Sequence, residues 1–335
     1  MNTKSILADI KNKKLKPVYL LHGEEPYFID LISDCIEQSI LSDAQKGFDQ
    51  SVLYGKDTDF STIIAMAKRY PMMGEYQVII IKEAQNLKWK DDELLLKYLE
   101  HPTSSTLLVF AHKYSKFDKR KKSYKAMEKI GLVLESAKLY EDKVSGWILE
   151  QLSANHRKIH PHAAALMAEY LGTDLSKVAN ELEKLQLNVP QDREIGTAEI
   201  ERNIGISKDF NAFELNSALA KRNSFKAFQI VDYFAANPKS NPMPVVIGSL
   251  GNYFTKILKY HYLPDKSASS AAKALGVNPY FVKEYELAAR NFNRKKTFDV
   301  IHIIKDYDLK SKGVQVGHLT ETADLLNEMI YKILN

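Results

Sequence analysis

The sequence predicts an α/β domain followed by helical domains, and three observations lead to this fold class. Between Pro17 and about Ser136, continuous apolar runs alternate with amphipathic stretches, as in a parallel sheet that helices cover on both faces. After about Tyr140 the β-like runs stop, and apolar residues recur at helical spacing. The length of 335 residues also exceeds that of one ordinary core and favours two or three domains.

In the first region, three apolar runs are the clearest strands: Val18–Leu21, Gln77–Ile81 and Thr106–Ala111. A helix-like segment separates each strand from the next. The predicted helices of this region are Phe28–Ile40, Phe60–Lys68, Leu94–Leu99 and Ser123–Ile130.

The rest of the chain is predicted to be helical. A small second domain contains Val144–Leu152, Ala163–Leu171 and Leu175–Leu187, and a polar loop, Asn188–Ile195, divides it before a new helix start at Gly196–Thr197. From about Ser207 the predicted helices are Phe210–Ala220, Phe225–Ala235, Pro244–Tyr260, Ser269–Leu275, Tyr280–Asn291 and Phe298–Lys310. We therefore expect three domains, at residues 1–140, 141–205 and 206–335.

Composition and charge exclude several classes of protein. Hydrophobic residues make up 45% and charged residues 27% of the chain, which is typical of globular domains and not of disordered or fibrous chains. A net charge of +5 is a mild excess and does not by itself indicate nucleic-acid binding. The single cysteine, Cys35, excludes an internal disulfide framework and favours a reducing, cytoplasmic location. We find neither a signal peptide in Met1–Lys16 nor an apolar run long enough to span a membrane.

The junction after the first strand looks like a nucleotide-binding loop that has lost its chemistry. A P-loop reads G-x-x-x-x-G-K-S/T, and its backbone amides and lysine hold phosphates. In the stretch Pro17–Asp30 only Gly23 remains of that pattern. Glu24 and Glu25 stand where phosphates would lie, and Ile29 and Asp30 take the positions of the lysine and the hydroxyl. Carboxylates at this place repel a polyanion.

The residues at the end of the strand Gln77–Ile81 also indicate a lost nucleotide site. P-loop enzymes place acidic residues here to bind Mg²⁺ and activate water. In this sequence Lys82 occupies the metal-ligand position, and Glu83 keeps the second acid. The two changes together predict an NTPase-like sheet without nucleotide machinery, so we expect no cofactor and no catalytic residue.

Several motifs give the chain a resemblance to the DNA polymerase III delta subunit family, which has an AAA+-like fold. They occur in order along nearly the whole chain: Gly-Glu-Glu-Pro with an aromatic helix start at Gly23–Phe28, then Asn180–Gln186, Phe213–Leu219, Ala274–Tyr280 and Asp306–Lys312. The resemblance implies an AAA+-like α/β domain, a helical lid and a helical collar that packs in a hetero-oligomeric ring. It also implies a clamp loader that acts during DNA replication, in which other subunits hydrolyse ATP.

In this family the corner before the strand that corresponds to Gln77–Ile81 presents two adjacent hydrophobic residues to a pocket on the sliding clamp. The matching segment is Arg69–Tyr76, and the resemblance implies clamp-binding roles for Pro71, Met72, Met73 and Gly74. Pro71 should stiffen the approach, and Gly74 should permit a turn. Without the resemblance, a pair of ordinary core methionines would be the favoured interpretation.

A basic run follows the third predicted strand. Seven Lys or Arg residues lie between Lys113 and Lys125, against the single acid Asp118. A solvated helix face and a DNA-backbone contact explain this run equally well, and the residues of a DNA contact would be Lys119, Arg120, Lys121 and Lys122.

The partners that the resemblance implies are the sliding clamp, ATP-hydrolysing loader subunits, a delta-prime-like subunit and primed DNA within the assembly. No membrane partner is expected.

His156, His160 and His162 lack metal-ligand spacing, because Pro161 interrupts the helix, and they are expected at the surface. Two alternatives stay open: a catalytic AAA+ ATPase with a degenerate P-loop, and a stand-alone DNA-binding protein.

Overall fold

The chain folds into two compact units, Met1–Leu139 and Tyr140–Asn335. The structure, a computed structural model, describes residues 3–90, 92–205, 210–314 and 322–335. The predicted start of a third domain, at residue 206, lies outside these described residues. The division of the second unit into a lid and a collar therefore stays a prediction.

The first unit is built on a five-stranded sheet in which every neighbouring pair is parallel. The strand order is β2-β3-β4-β1-β5. The strands are β1 (Val18–Gly23), β2 (Gln50–Tyr54), β3 (Gln77–Lys82), β4 (Thr106–His112) and β5 (Leu132–Ser136). The helices are α1 (Thr3–Lys11), α2 (Pro26–Ser39), α3 (Asp43–Asp49), α4 (Phe60–Ala67), α5 (Glu93–Glu100) and α6 (Lys122–Ile130).

Alternate residues of the central strands build two cores, one on each face of the sheet. Leu20, Ile79 and Phe110 pack with residues of α4, α5 and α6 on one face. Leu21 and Ile80 pack with residues of α1 and α2 on the other face. Because both faces are covered, the central strands are apolar along their whole length, and this explains why they could be predicted from the sequence.

The strand order creates a topological switch point. The connection from β1 runs through α2 on one face towards β2, whereas the connection from β4 runs through α6 on the other face and crosses β1 to reach β5. A crevice forms at the carboxyl ends of strands where such connections diverge, and ligands of open α/β sheets bind there. The carboxyl ends of β1, β3 and β4 carry Gly23, Lys82 and His112.

The second unit is helical throughout its described elements, apart from one isolated β-bridge between Ile159 and Ile195. Its large core includes Leu219, Phe234, Phe254 and Ile330. The first four helices are α7 (Glu141–Ala154), α8 (Pro161–Leu171), α9 (Leu175–Asn188) and α10 (Thr197–Ile204). They are followed by α11 (Ala212–Ala220), α12 (Ser224–Ala236), α13 (Met243–His261), α14 (Ala268–Leu275), α15 (Val282–Asn291), α16 (Arg294–Ser311) and α17 (Thr322–Leu334). Within the ranges that the structure describes, no helix is both long and apolar enough to cross a membrane.

Candidate functional site

The loop between β1 and α2 is too short to wrap a phosphate. β1 ends at Gly23 and α2 begins at Pro26, so only Glu24 and Glu25 separate the strand from the helix. Gly23 has a φ of +142°, and a Cβ atom at this position would lie 2.0 Å from the carbonyl oxygen of Ser136. The loop is therefore pressed against β5 at a place where only glycine fits.

The backbone and the carboxylate of Glu25, in this loop, are hydrogen-bonded within the chain. The N–H of Glu25 donates to the Ser136 carbonyl oxygen at 3.2 Å, and the Ser136 hydroxyl donates to the Glu25 carbonyl oxygen at 2.7 Å. The buried Glu25 carboxylate accepts from the N–H of Tyr27 at 3.1 Å, and Pro26 has no N–H to offer. The helix N-terminus that would bind an anion is thus capped by a carboxylate from its own loop.

The charges around the switch point are the reverse of those in a nucleotide site. Ile29, at the position of the phosphate-binding lysine, is fully buried in the core beneath α2. Lys82, at the end of β3, forms ion pairs with Glu37 at 2.8 Å and with Asp34 at 3.5 Å. A cation therefore stands at the end of β3, and helix α2 supplies the acids that pair with it.

A second lysine completes this network from the end of β4. Lys113 forms ion pairs with Asp30 at 2.7 Å and with Glu83 at 3.1 Å, and its side chain is only 12% exposed. Burial alone would lower the pKa of Lys113, but the two carboxylates raise it above its ordinary value of 10.5. Both lysines and all four acids are consequently engaged with one another.

The predicted partner-binding loop lies at the amino ends of the strands, opposite to the switch point. It connects α4 to β3, so it sits at the amino end of β3, whereas Lys82 and Glu83 lie at the carboxyl end. Six strand residues at about 3.3 Å each place the two regions about 20 Å apart. The loop is therefore separate from the switch-point crevice.

The two methionines of this loop are exposed and do not belong to the core. Met72 is 77% exposed and Met73 is 56% exposed, and the neighbouring Tyr70 is 79% exposed. Three large apolar side chains thus stand in solvent within four residues of one another. The structure contradicts the interpretation of Met72 and Met73 as core residues.

The backbone of this loop is fixed by one carboxylate. Asp49, at the end of α3, is 2% exposed and accepts hydrogen bonds from the N–H groups of three consecutive residues, Met72, Met73 and Gly74. Burial alone would raise the pKa of Asp49, but these three backbone donors outweigh burial and lower the pKa below its ordinary value. The carboxylate therefore stays ionised at neutral pH.

Gly74 contributes to this arrangement for a different reason from the predicted one. It is not among the described glycines with positive φ, so it does not serve as a left-handed turn residue. A Cβ atom at Gly74 would lie 3.2 Å from Leu41 Cδ2 and 3.3 Å from Asp49 Oδ2. The backbone thus comes close to the carboxylate, and a side chain at this position would push Leu41 or Asp49 aside by a few tenths of an ångström.

The basic run is largely engaged within the chain. Lys119 forms an ion pair with Glu135 at 2.7 Å, and Arg120 forms a forked pair with Asp118 at 3.0 Å. The ammonium group of Lys121 donates to the Trp89 carbonyl oxygen at 2.8 Å, while Lys122 begins α6. Arg120 stays 91% exposed despite its partner, so this surface is basic. However, three of the four residues predicted to contact DNA already have acceptors within the chain.

The histidines and the cysteine do not form a site. His156 is exposed as expected, but His160 and His162 are half-buried, and the His162 ring packs against Phe213 and Phe281. Cys35 is half-buried at the rim of a core rather than inside it. In the portion of the chain that the structure describes, no group of three or more His, Cys, Asp or Glu residues could hold a metal ion.

Sequence reasoning missed two residues that shape these regions. Lys113 was counted only as part of the basic run, although its position directly after a predicted strand could have assigned it to the switch point. Asp49 gave no sequence signal, because its partners lie 23 to 25 residues further along the chain and the strand that follows it was not predicted.

Comparison with known proteins agrees with the fold. The Bacillus subtilis DNA clamp loader delta protein matches with a TM-score of 0.56 and 23% identity, covering 99% of each chain. This likeness confirms the predicted fold class, a parallel-sheet α/β domain followed by a helical region.

Sequence comparison extends the likeness to family. The curated DNA polymerase III subunit delta of Bacillus subtilis is 26% identical over 319 residues, covering 91% of each chain. The family model "DNA polymerase III, delta subunit" matches residues 19–137, and the model of the C-terminal domain of the same subunit matches residues 209–323. The two models match in order and together cover more than half of the chain. The chain therefore belongs to the DNA polymerase III delta subunit family.

Proposed function

We propose that this chain is the clamp-loader subunit that grips the sliding clamp and opens it, with Met72 and Met73 as the apolar anchor and without hydrolysing ATP itself. The observation that carries this proposal is a pair of exposed methionines on a loop whose backbone is held by Asp49. Family membership supports the partner: the relative of the same fold is described as a clamp loader protein.

The energetics of the loop suit a reversible grip. Each methionine would contribute about 1.5–3 kcal/mol on full burial in a partner pocket, before the costs of association. Methionine side chains adapt to irregular pockets, and this suits a surface that is engaged and released. A fixed backbone lowers the ordering cost that a free loop would incur.

The switch point argues against the alternative of a catalytic ATPase. A nucleotide would need a phosphate-binding loop and a lysine, but the loop has two residues, and Ile29 is buried in the core. Phosphates would also face the acids of α2, which already neutralise Lys82 and Lys113. In the assembly, ATP would therefore be hydrolysed by the other loader subunits.

The alternative of a stand-alone DNA-binding protein has less support. Lys119, Arg120 and Lys121 have acceptors within the chain, so binding DNA through them would first break these contacts. We propose DNA contact by this surface, including Lys122, only with primed DNA inside the assembled loader. There the chain would work beside ATP-hydrolysing and delta-prime-like subunits, in the cytoplasm, as a non-catalytic part of a DNA-directed DNA polymerase, a nucleotidyltransferase.

The test is calorimetric titration of the full chain into the sliding clamp of the same organism. We expect the wild type to bind and the Met72→Ala, Met73→Ala double variant to lose at least about tenfold in affinity, which is about 1.4 kcal/mol. The matched control is Leu94→Ala, Leu187→Ala, which truncates two exposed aliphatic side chains, 45% and 85% exposed, that are not part of the loop. Equal affinity of wild type and the methionine variant would refute the proposed anchor.

A further inference from the structure

We propose that Asp49 is a positioning residue for clamp binding: its carboxylate holds the loop Met72–Gly74 in the conformation that presents both methionines. This inference rests on the proposed function, because it assigns a role within the same clamp-binding surface. Asp49 does not touch the partner; it acts through the backbone of the residues that do.

Three consecutive N–H groups of the loop form a nest that binds the Asp49 carboxylate. Asp49 Oδ2 accepts from the N–H of Met73 at 2.8 Å and from the N–H of Gly74 at 2.6 Å, while Oδ1 accepts from the N–H of Met72. Gln45, one helical turn earlier on α3, reaches the Met73 carbonyl oxygen with its Nε2 at 3.4 Å. Two side chains of α3 therefore clamp the loop backbone from one side.

These hydrogen bonds matter because the loop lies outside the regular secondary structure. Residues 69–76 belong to no helix or strand, and holding each of their backbone residues in one conformation costs conformational entropy. Hydrogen bonds to an ionised acceptor are roughly twice as strong as neutral ones, so one carboxylate can fix three consecutive residues. The loop then meets its partner already ordered, with Met72 and Met73 directed into solvent.

A role in general stability would give a different pattern from a role in positioning. Asp49 precedes β2 directly, so its loss could also disturb the edge of the sheet. Positioning predicts that only the loop loosens. The two roles are separated by amide hydrogen exchange, which reports on each backbone N–H independently.

The experiment compares wild type with Asp49→Asn, which keeps the shape of the side chain but replaces one acceptor oxygen with an NH₂ group. The matched control is Asp43→Asn on the same helix, where the carboxylate is 98% exposed and pairs with Lys46. A second variant, Gly74→Ala, approaches from the loop side, because its Cβ would crowd Asp49 Oδ2 at 3.3 Å. Each protein is titrated into the clamp, and exchange is measured on the free chain.

We expect Asp49→Asn and Gly74→Ala to weaken clamp binding at least about fivefold. In both variants the amides of Met72, Met73 and Gly74 should exchange at least about tenfold faster, while those of Val52 and Ile79 stay as protected as in wild type. Asp43→Asn should match wild type in both measurements.

The inference is overturned if Asp49→Asn binds the clamp like wild type while the methionine double variant does not, since the anchor would then stand without its positioning residue. An equal increase of amide exchange in the loop, in β2 and in β3 would also overturn it. Asp49 would then stabilise the whole unit and not the loop in particular. If wild type itself fails to bind the clamp, the proposed function falls too, and the exchange data alone show whether Asp49 orders the loop.

Discussion

At the scale of single residues, Lys113 is the side chain on which the inverted charge network depends. Its ammonium group lies between Asp30 and Glu83, at 2.7 and 3.1 Å, in a place that is only 12% exposed. Removing a partly buried cation leaves its carboxylate partners desolvated and unpaired. Surface pairs differ, because water solvates either partner when the other is lost.

Replacing Lys113 with Met should therefore lower the free energy of unfolding of the first unit by about 2 kcal/mol. Arg120→Ala, which removes a side chain that is 91% exposed, should change it by less than about 0.5 kcal/mol. The measurement is urea unfolding followed by Trp89 fluorescence in a Trp147→Phe background, since these are the two tryptophans of the chain.

The pH dependence of this effect follows from the raised pKa of Lys113. A cation whose pKa is raised on folding stabilises the fold fully below its unfolded pKa, and the stabilisation is lost as the pH rises through the folded value. The difference between wild type and Lys113→Met should therefore hold from neutral pH to about pH 9 and shrink in stronger base. A difference that grows with pH would contradict the ion-pair account.

Residues of the candidate site were predictable where a family pattern or a strand end marked them. Met72 and Met73, Gly23 and Lys82 were assigned from the sequence, and the structure places the methionines in solvent and Lys82 at the switch point. Asp49 was not predictable, since its role depends on a long-range approach of α3 to the loop. Hydrogen bonds of this kind leave no periodicity in a sequence.

At the scale of elements, the junction of β1 and α2 depends on close backbone packing. Gly23 lies against β5 at positive φ. Gly47 lies inside helix α3, and a Cβ atom there would meet no atom of the described residues within 4 Å. The same substitution at the two glycines should therefore have opposite effects.

Gly23→Ala should destabilise the first unit by more than about 3 kcal/mol, because a Cβ atom would lie 2.0 Å from the Ser136 carbonyl oxygen. Gly47→Ala should stabilise it by about 0.5–1 kcal/mol through helix propensity. The same fluorescence-detected unfolding measures both. Tolerance of alanine at position 23 would mean that the β1–β5 approach is wrong.

The elements that the sequence predicted are those with buried, periodic faces. β1, β3 and β4 lie inside the sheet and read as continuous apolar runs. The edge strands β2 and β5 were missed because their residues are half-buried or alternate between buried and half-buried. Helices α1, α3 and α17 were not predicted either, and two of these, α1 and α3, have only nine and seven residues.

At the scale of the whole molecule, the first unit separates two surfaces across one sheet. At the switch-point crevice, where open α/β sheets bind ligands, the charged side chains pair with one another. The exposed methionines lie at the amino end of β3, about 20 Å away along this strand. Under the proposed function, the chain would bind its partner at the amino end of the sheet and would need no nucleotide at the carboxyl end.

The most direct test of this account is release of a preloaded sliding clamp from nicked circular DNA by the isolated chain, without ATP. Release requires gripping and opening the clamp in one measurement. The account predicts that the wild type releases the clamp without nucleotide and that the Met72→Ala, Met73→Ala variant releases it at least about tenfold more slowly. Release by the variant at the wild-type rate, or release by the wild type only after ATP is added, would contradict it.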